Sequence, residues 1–411
     1  MSQVTLERRL GTRDAVVIGV GSMVGAGVFS AFAPAAAVAG RGLLIGLAVA
    51  AVVAFCNATS SAQLAAAYPT SGGTYAYGRA RLSDFWGFVA GWGFVVGKTA
   101  SCAAMALTFG AYAWPDHARI VAVGAVVALT CVNLVGITRT AFVTRILVAI
   151  VLAVLLVAVI VGTTGRPVGV DIGSTGSPVA ILQSAGILFF AFAGYARIAT
   201  LGEEVRDPAR TIPRAIVVAL ACAVVVYTAV ALMVLHVLGA DGVARSSAPV
   251  AAAMSAVGAQ WADPVVRVGA AAASLGALLG LIAGVSRTTM AMARERDLPV
   301  YLARVDVSRS VPRAAELTLC VVIVALVLTV DLREAIGFSS FGVLVYYAVA
   351  NVAAFTQSGS DRRYSPVLQI VGLLGCAALV FTLPTTALVT GSCVLTVGAV
   401  GRWVTRRGSH H

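Results

Sequence analysis

Apolar runs of about 20 residues recur along the whole chain, with short polar gaps between them. No other feature constrains the fold as much. A backbone in hydrocarbon must satisfy its own N–H and C=O groups, and a helix does this within a single segment. We read twelve spans, at 15–39, 42–67, 86–113, 118–138, 141–163, 179–202, 213–239, 262–290, 313–331, 334–357, 365–383 and 385–404. The expected fold class is an all-α polytopic membrane protein with twelve transmembrane helices.

Composition agrees. The chain is 59% hydrophobic and 11% charged, where a soluble domain carries about 25% charge. Its 411 residues therefore read as one bundle rather than as two or three soluble domains. The segment 1–14 is polar and carries no evident cleavable signal. The net charge of +12 follows the loops: Arg8, Arg9 and Arg13, then Arg79 and Arg81, Arg139 and Arg145, Arg206, Arg210 and Arg214, the stretch from Arg294 to Arg313, Arg362 and Arg363, and Arg402, Arg406 and Arg407. Intervening loops carry few. This positive-inside pattern places both termini in the cytoplasm. The charges form no basic groove with interleaved aromatics, so nucleic acid is not an expected partner.

Seven cysteines lie far apart within apolar runs and read as small hydrophobes. The terminal GSHH reads as part of a tag, which excludes His410 and His411. No cofactor or metal is expected: there is no Walker motif, no HExxH, no Ser/His/Asp set, and only two other histidines. These absences also argue against an enzyme.

Two spans contain helix breakers at mid-depth. In the first, GSMVGAGVF (21–29) places Gly21, Ser22, Gly25 and Gly27 within seven positions. Each glycine costs about 1 kcal/mol in a helix interior relative to alanine. Glycines in membrane helices also serve close packing, and for Gly21 and Gly25 taken alone both readings stand. The sixth span, FFAFAGYAR (189–197), has a glycine at similar depth with a charge just beyond it. Broken membrane helices line substrate sites, where freed N–H groups hold anions and freed carbonyls hold cations. Two breaks five helices apart suggest two halves, and an odd number of helices per half requires the second to be inverted.

These stretches, with YPTSGGTYAYGRA (68–80), SRTTMAMARERDLP (286–299) and SSFGVLVYYAVAN (339–351), resemble the amino acid–polyamine–organocation superfamily of secondary transporters over spans one to ten. The resemblance implies a leucine-transporter-like fold with inverted five-helix repeats at 15–163 and 179–357, and helices 11 and 12 at 365–404, before the tail 405–411. It implies alternating access around a central amino acid site in the cytoplasmic membrane. The substrate carboxylate would meet N–H groups of Ser22, Met23, Val24, Gly25, Ala26 and Gly27. Its ammonium would meet carbonyls of Val20, Gly21, Phe190, Ala191 and Ala193. Phe190, Phe192 and Tyr195 are candidates for gating or packing over the substrate.

Lys98, the one lysine, lies near the middle of span three. A central ammonium is costly and is a functional candidate by default. It can act as a proton carrier, as a fixed cation in place of sodium, as a charge that disfavours cationic substrates, or as a packing group bonded to helix carbonyls. No Asp or Glu lies near the middle of any span. Relatives that transport cations carry an acid in span three where this chain has Gly97, although IATLGEEV (198–205) is close to that branch. A second sodium site would want paired hydroxyls on span eight, which offers Ser274, so protons are the more expected coupling ion. Arg197, Glu203 and Glu204 are candidates for a cytoplasmic gate, with a contact along one helix face or direct substrate contact by Arg197. The expected function is secondary transport of a neutral L-amino acid, proton-coupled or by exchange. A cationic amino acid or polyamine transporter, and a transport-inactive sensor, are the alternatives.

Overall fold

The computed structural model describes residues 10–69, 72–136, 141–165, 175–202, 204–306 and 311–408. They are helical throughout; three isolated bridges, such as Leu10 with Val205, occur among them, and no strand. Among the described residues ten helices are long and apolar enough to cross a membrane, and the protein is a multi-pass membrane protein.

The first span is divided into α1 (Thr12–Met23), α2 (Gly27–Ser30) and α3 (Phe32–Ala39). The break falls at Val24, Gly25 and Ala26. Spans two and three are α4 (Leu43–Ala67) and α6 (Asp84–Ala113), with the short α5 (Gly73–Arg81) between them. The fourth and fifth are α7 (Ala118–Leu134) and α8 (Ala141–Thr164). The sixth runs as α9 (Pro178–Phe192), a 3-10 turn at Ala193–Tyr195, and α10 (Ala196–Ala199). Next come α11 (Pro208–Arg245), the short α12 (Pro249–Ala256) and α13 (Ala262–Arg294). The last four helices are α14 (Arg313–Thr329), α15 (Leu332–Phe355), α16 (Pro366–Thr382) and α17 (Thr385–Gly408). Helices α14 and α16 have 17 residues each, the lower limit for a span.

Most of α6 and α15 is buried, whereas α7, α8 and α17 turn most of their surface outward. Side chains such as Ile120, Leu156, Val225, Val268, Val321 and Phe381 form the apolar exterior, as expected where hydrocarbon is the solvent. Helices α6 and α15 touch through backbone. A β-carbon on Gly342 would lie 2.6 Å from the Gly93 carbonyl oxygen and 2.8 Å from Gly97 Cα. Small residues at this spacing let two helices approach closely. The Ser101 and Ser339 hydroxyls join the same pair of helices at 2.6 Å.

Candidate functional site

The two breaks meet in the middle of the bundle. A β-carbon on Gly27 would sit 2.7 Å from Ala191 Cα, and one on Gly194 would sit 2.7 Å from Met23 N and closer still to the Ser22 carbonyl. Backbone therefore faces backbone, with no side chain between. Gly19 and Gly21 serve a different purpose. They lie within α1, and β-carbons there would strike Ile198 and Val148.

Freed carbonyls at the breaks are taken by side chains from neighbouring helices. The Tyr227 hydroxyl, on α11, lies 2.6 Å from Met23 O and 2.8 Å from Ala191 O. It shares its proton between the last turns of α1 and α9, whose carbonyls have no partner within their helices. Lys98 Nζ donates to Ala193 O at 3.1 Å, and the Tyr347 hydroxyl donates to the same oxygen at 3.3 Å. A carbonyl oxygen has two lone pairs, so both are in use. Lys98 is 6% exposed. Its partner is thus a break carbonyl and not the carboxylate that a search through the sequence would look for.

The site residues read from the sequence fall into two groups. Val20, Gly21, Ser22 and Met23 are helical, and the Ser22 hydroxyl is tied back to Ile18 O at 2.8 Å. Val24 N bonds Val20 O at 2.6 Å. The N–H groups of Gly25 and Ala26, by contrast, have no hydrogen-bond partner among the described residues, and both residues are buried. Phe190, Ala191 and Ala193 are buried beside them, the Phe192 ring meets Tyr227 edge-on at 5.0 Å, and the Tyr195 ring stacks on Tyr347 at 4.9 Å. Ser274 lies on α13, which passes the break at Gly25; its hydroxyl is buried and has no hydrogen-bond partner among the described residues.

Arg197 and Glu204 do not share a helix face, because α10 ends at Ala199. Arg197 instead reaches Thr200 Oγ1 at 3.4 Å, while Glu204 O accepts from Leu10 N at 3.0 Å. Glu203 lies outside the described residues.

A second cluster, which the sequence did not single out, closes the arginine-rich end. Asp297 has a fully buried side chain and follows α13. It accepts from Tyr75 at 3.0 Å, Arg79 at 3.3 Å and Arg402 at 2.7 Å. Arg79 also pairs with Asp84 at 3.0 Å and Glu295 at 3.1 Å. Burial, and then the Asp297 carboxylate, push the Tyr75 phenol well above its ordinary range, so it remains a donor. These contacts tie α5, α6, α13 and α17 together. Tyr227 and Asp297 could have been noticed as an aromatic hydroxyl in an apolar run and as an acid in a basic loop; their partners, far away in sequence, could not.

Comparison with known proteins follows from this geometry. A family model described as amino acid permease matches residues 10–400. An uncharacterized transporter of Mycobacterium tuberculosis is 60% identical over 98% of this chain and 93% of its own length. The branched-chain amino acid permease BcaP of Bacillus subtilis is 24% identical over 96% of this chain and 92% of its own. The chloroplastic cationic amino acid transporter 7 of Arabidopsis thaliana is 27% identical over 92% of this chain and 70% of its own.

Proposed function

We propose a function from one premise: the chain belongs to the amino acid permease family. It is a secondary active transporter that carries a neutral L-amino acid of small to medium size across the cytoplasmic membrane by alternating access. Both termini lie in the cytoplasm, and the five-helix halves 15–163 and 179–357 are inverted copies. The observation that carries this reading is the meeting of the two breaks, with two unpartnered N–H groups on one side and donor-capped carbonyls on the other. A zwitterion has both groups on one carbon. Its carboxylate suits Gly25 and Ala26 N–H. Its ammonium suits the Met23 and Ala191 carbonyls that the Tyr227 hydroxyl spans, and it enters by displacing that donor.

Lys98 supports the choice of a neutral substrate. A second cation about 4 Å from its ammonium is repelled by about 4 kcal/mol at the effective dielectric of such sites. Coupling is by protons or by exchange rather than by sodium, with Lys98 as the group whose protonation alters the grip on Ala193 O. Two observations favour transport of cationic amino acids as the second reading: the IATLGEEV text and the Arabidopsis relatives named for that activity.

The test is counterflow in proteoliposomes preloaded with each of the twenty amino acids, at two pH values, for wild type and Lys98→Ala. The proposal expects exchange of neutral substrates. It also expects an inward proton gradient to raise wild-type uptake, with Lys98→Ala retaining exchange and losing that gradient response. Exchange confined to lysine and arginine would move the assignment to the second reading. Binding without flux would make the protein a sensor.

A further inference from the structure

On the outer side of the bundle, α6, α15 and α16 enclose an apolar groove of about 310 Å³. Trp86 stands at one end, Leu344, Ala348 and Val352 run along α15, and Leu373 and Val380 close it from α16. Hydrocarbon fills any such slot in a bilayer. The groove's arginine-rich end makes this one selective.

Arg81 adjoins Leu82, which lines the groove. Its guanidinium crosses to Thr356, one turn beyond Val352, and donates to the hydroxyl at 3.1 Å and to the carbonyl oxygen. Arg362 folds back onto the same helix end, donating to Phe355 O at 2.9 Å and Gln357 O at 2.6 Å. Both charges rest on neutral oxygens, and neither meets a carboxylate among the described residues. Arg79 and Arg402, close by, are instead paired with Asp84, Glu295 and Asp297.

An apolar slot and two cations without a carboxylate partner among the described residues thus come together at one end of α15. We propose that this groove binds an anionic phospholipid, with an acyl chain along α15 and the phosphate between Arg81 and Arg362. Basic pockets between transmembrane helices recognise anionic headgroups in this way. A zwitterionic lipid offers the same chain but sets its own cation against the two guanidiniums.

The full chain is reconstituted in phosphatidylcholine bilayers containing increasing fractions of dibrominated phosphatidylglycerol or, separately, dibrominated phosphatidylcholine. Bromine quenches tryptophan on contact. Comparing wild type with Trp86→Phe isolates the share of Trp86. The association constant at Trp86 is expected to favour the glycerol headgroup by roughly fivefold per arginine. Arg81→Gln and Arg362→Gln each remove about one such factor, while Arg81→Lys and the outer-loop change Arg41→Gln leave the preference in place. Equal quenching by the two headgroups, or a preference that survives both arginine-to-glutamine changes, would overturn the proposal.

Discussion

The contact between the two breaks makes Gly194→Ala a sharp perturbation. The added methyl carbon would lie 2.7 Å from Met23 N and nearer still to Ser22 O. Both are backbone atoms, so no side chain can rotate out of the way. The breaks must separate by about 1 Å to restore an ordinary van der Waals gap. Overpacking of this kind costs about 1–3 kcal/mol, which lowers the population of the closed arrangement by about 5- to 150-fold. The cost falls on the state in which the breaks touch and not on a state in which they stand apart. Counterflow should therefore slow by that factor in Gly194→Ala proteoliposomes, while equilibrium binding of the exchanged amino acid persists. Gly280→Ala is the matched control, since nothing lies within 4 Å of a β-carbon there. Exchange within twofold of wild type in Gly194→Ala would refute the idea that closure needs backbone contact at this point.

Three further outcomes follow from the same geometry. Tyr227→Phe leaves Met23 O and Ala191 O without their shared donor; thermal unfolding in a fixed detergent should show a loss of about 1–3 kcal/mol, and an unchanged melting temperature would mean that water replaces the hydroxyl. Asp297→Asn sets Arg79 and Arg402 side by side with no carboxylate between them. Breaking a buried pair costs about 3–5 kcal/mol, so amide exchange in α5 and at the end of α17 should accelerate, and unaltered protection would show that the cluster does not hold these elements. Asn351→Leu removes the amide that donates to Asn57 at 2.6 Å and accepts from Ser60 at 2.7 Å; a loss of about 1–3 kcal/mol in unfolding free energy is expected, and a stabilised variant would argue against the network.

The helical segments were legible because hydrocarbon permits few solutions: among the described residues ten helices are long and apolar enough to cross a membrane, where twelve spans were expected. The first break was legible as a region and less so as a position. Glycine clusters do not say which glycine unwinds a helix and which lets a neighbour approach. Gly19 and Gly21 are of the second kind, with Ile198 and Val148 against them, and the chain unwinds only at Val24–Ala26. The depth of Lys98 followed from counting residues, but its partner did not, because a backbone carbonyl has no signature in a sequence. The same holds for Asp297, whose three partners come from α5 and α17. Arg197 and Glu204 do not share the helix that their spacing suggested, because α10 ends at Ala199. Long-range pairing is decided by how helices dock, and periodicity along one helix contains little of that information.

The backbone contact of α6 with α15 has a consequence for how the sixth span can be released. Lys98 belongs to one of these helices and Tyr347 to the other, yet both grip the single oxygen of Ala193. With Gly93, Gly97 and Gly342 interlocked, the two helices cannot slide past each other without lifting backbone off backbone. The two donors therefore behave as the tines of one rigid fork. When the Ala193 segment moves relative to that fork, it leaves both tines in a single event. Release of the sixth break at Ala193 would then be felt by α6 and α15 together.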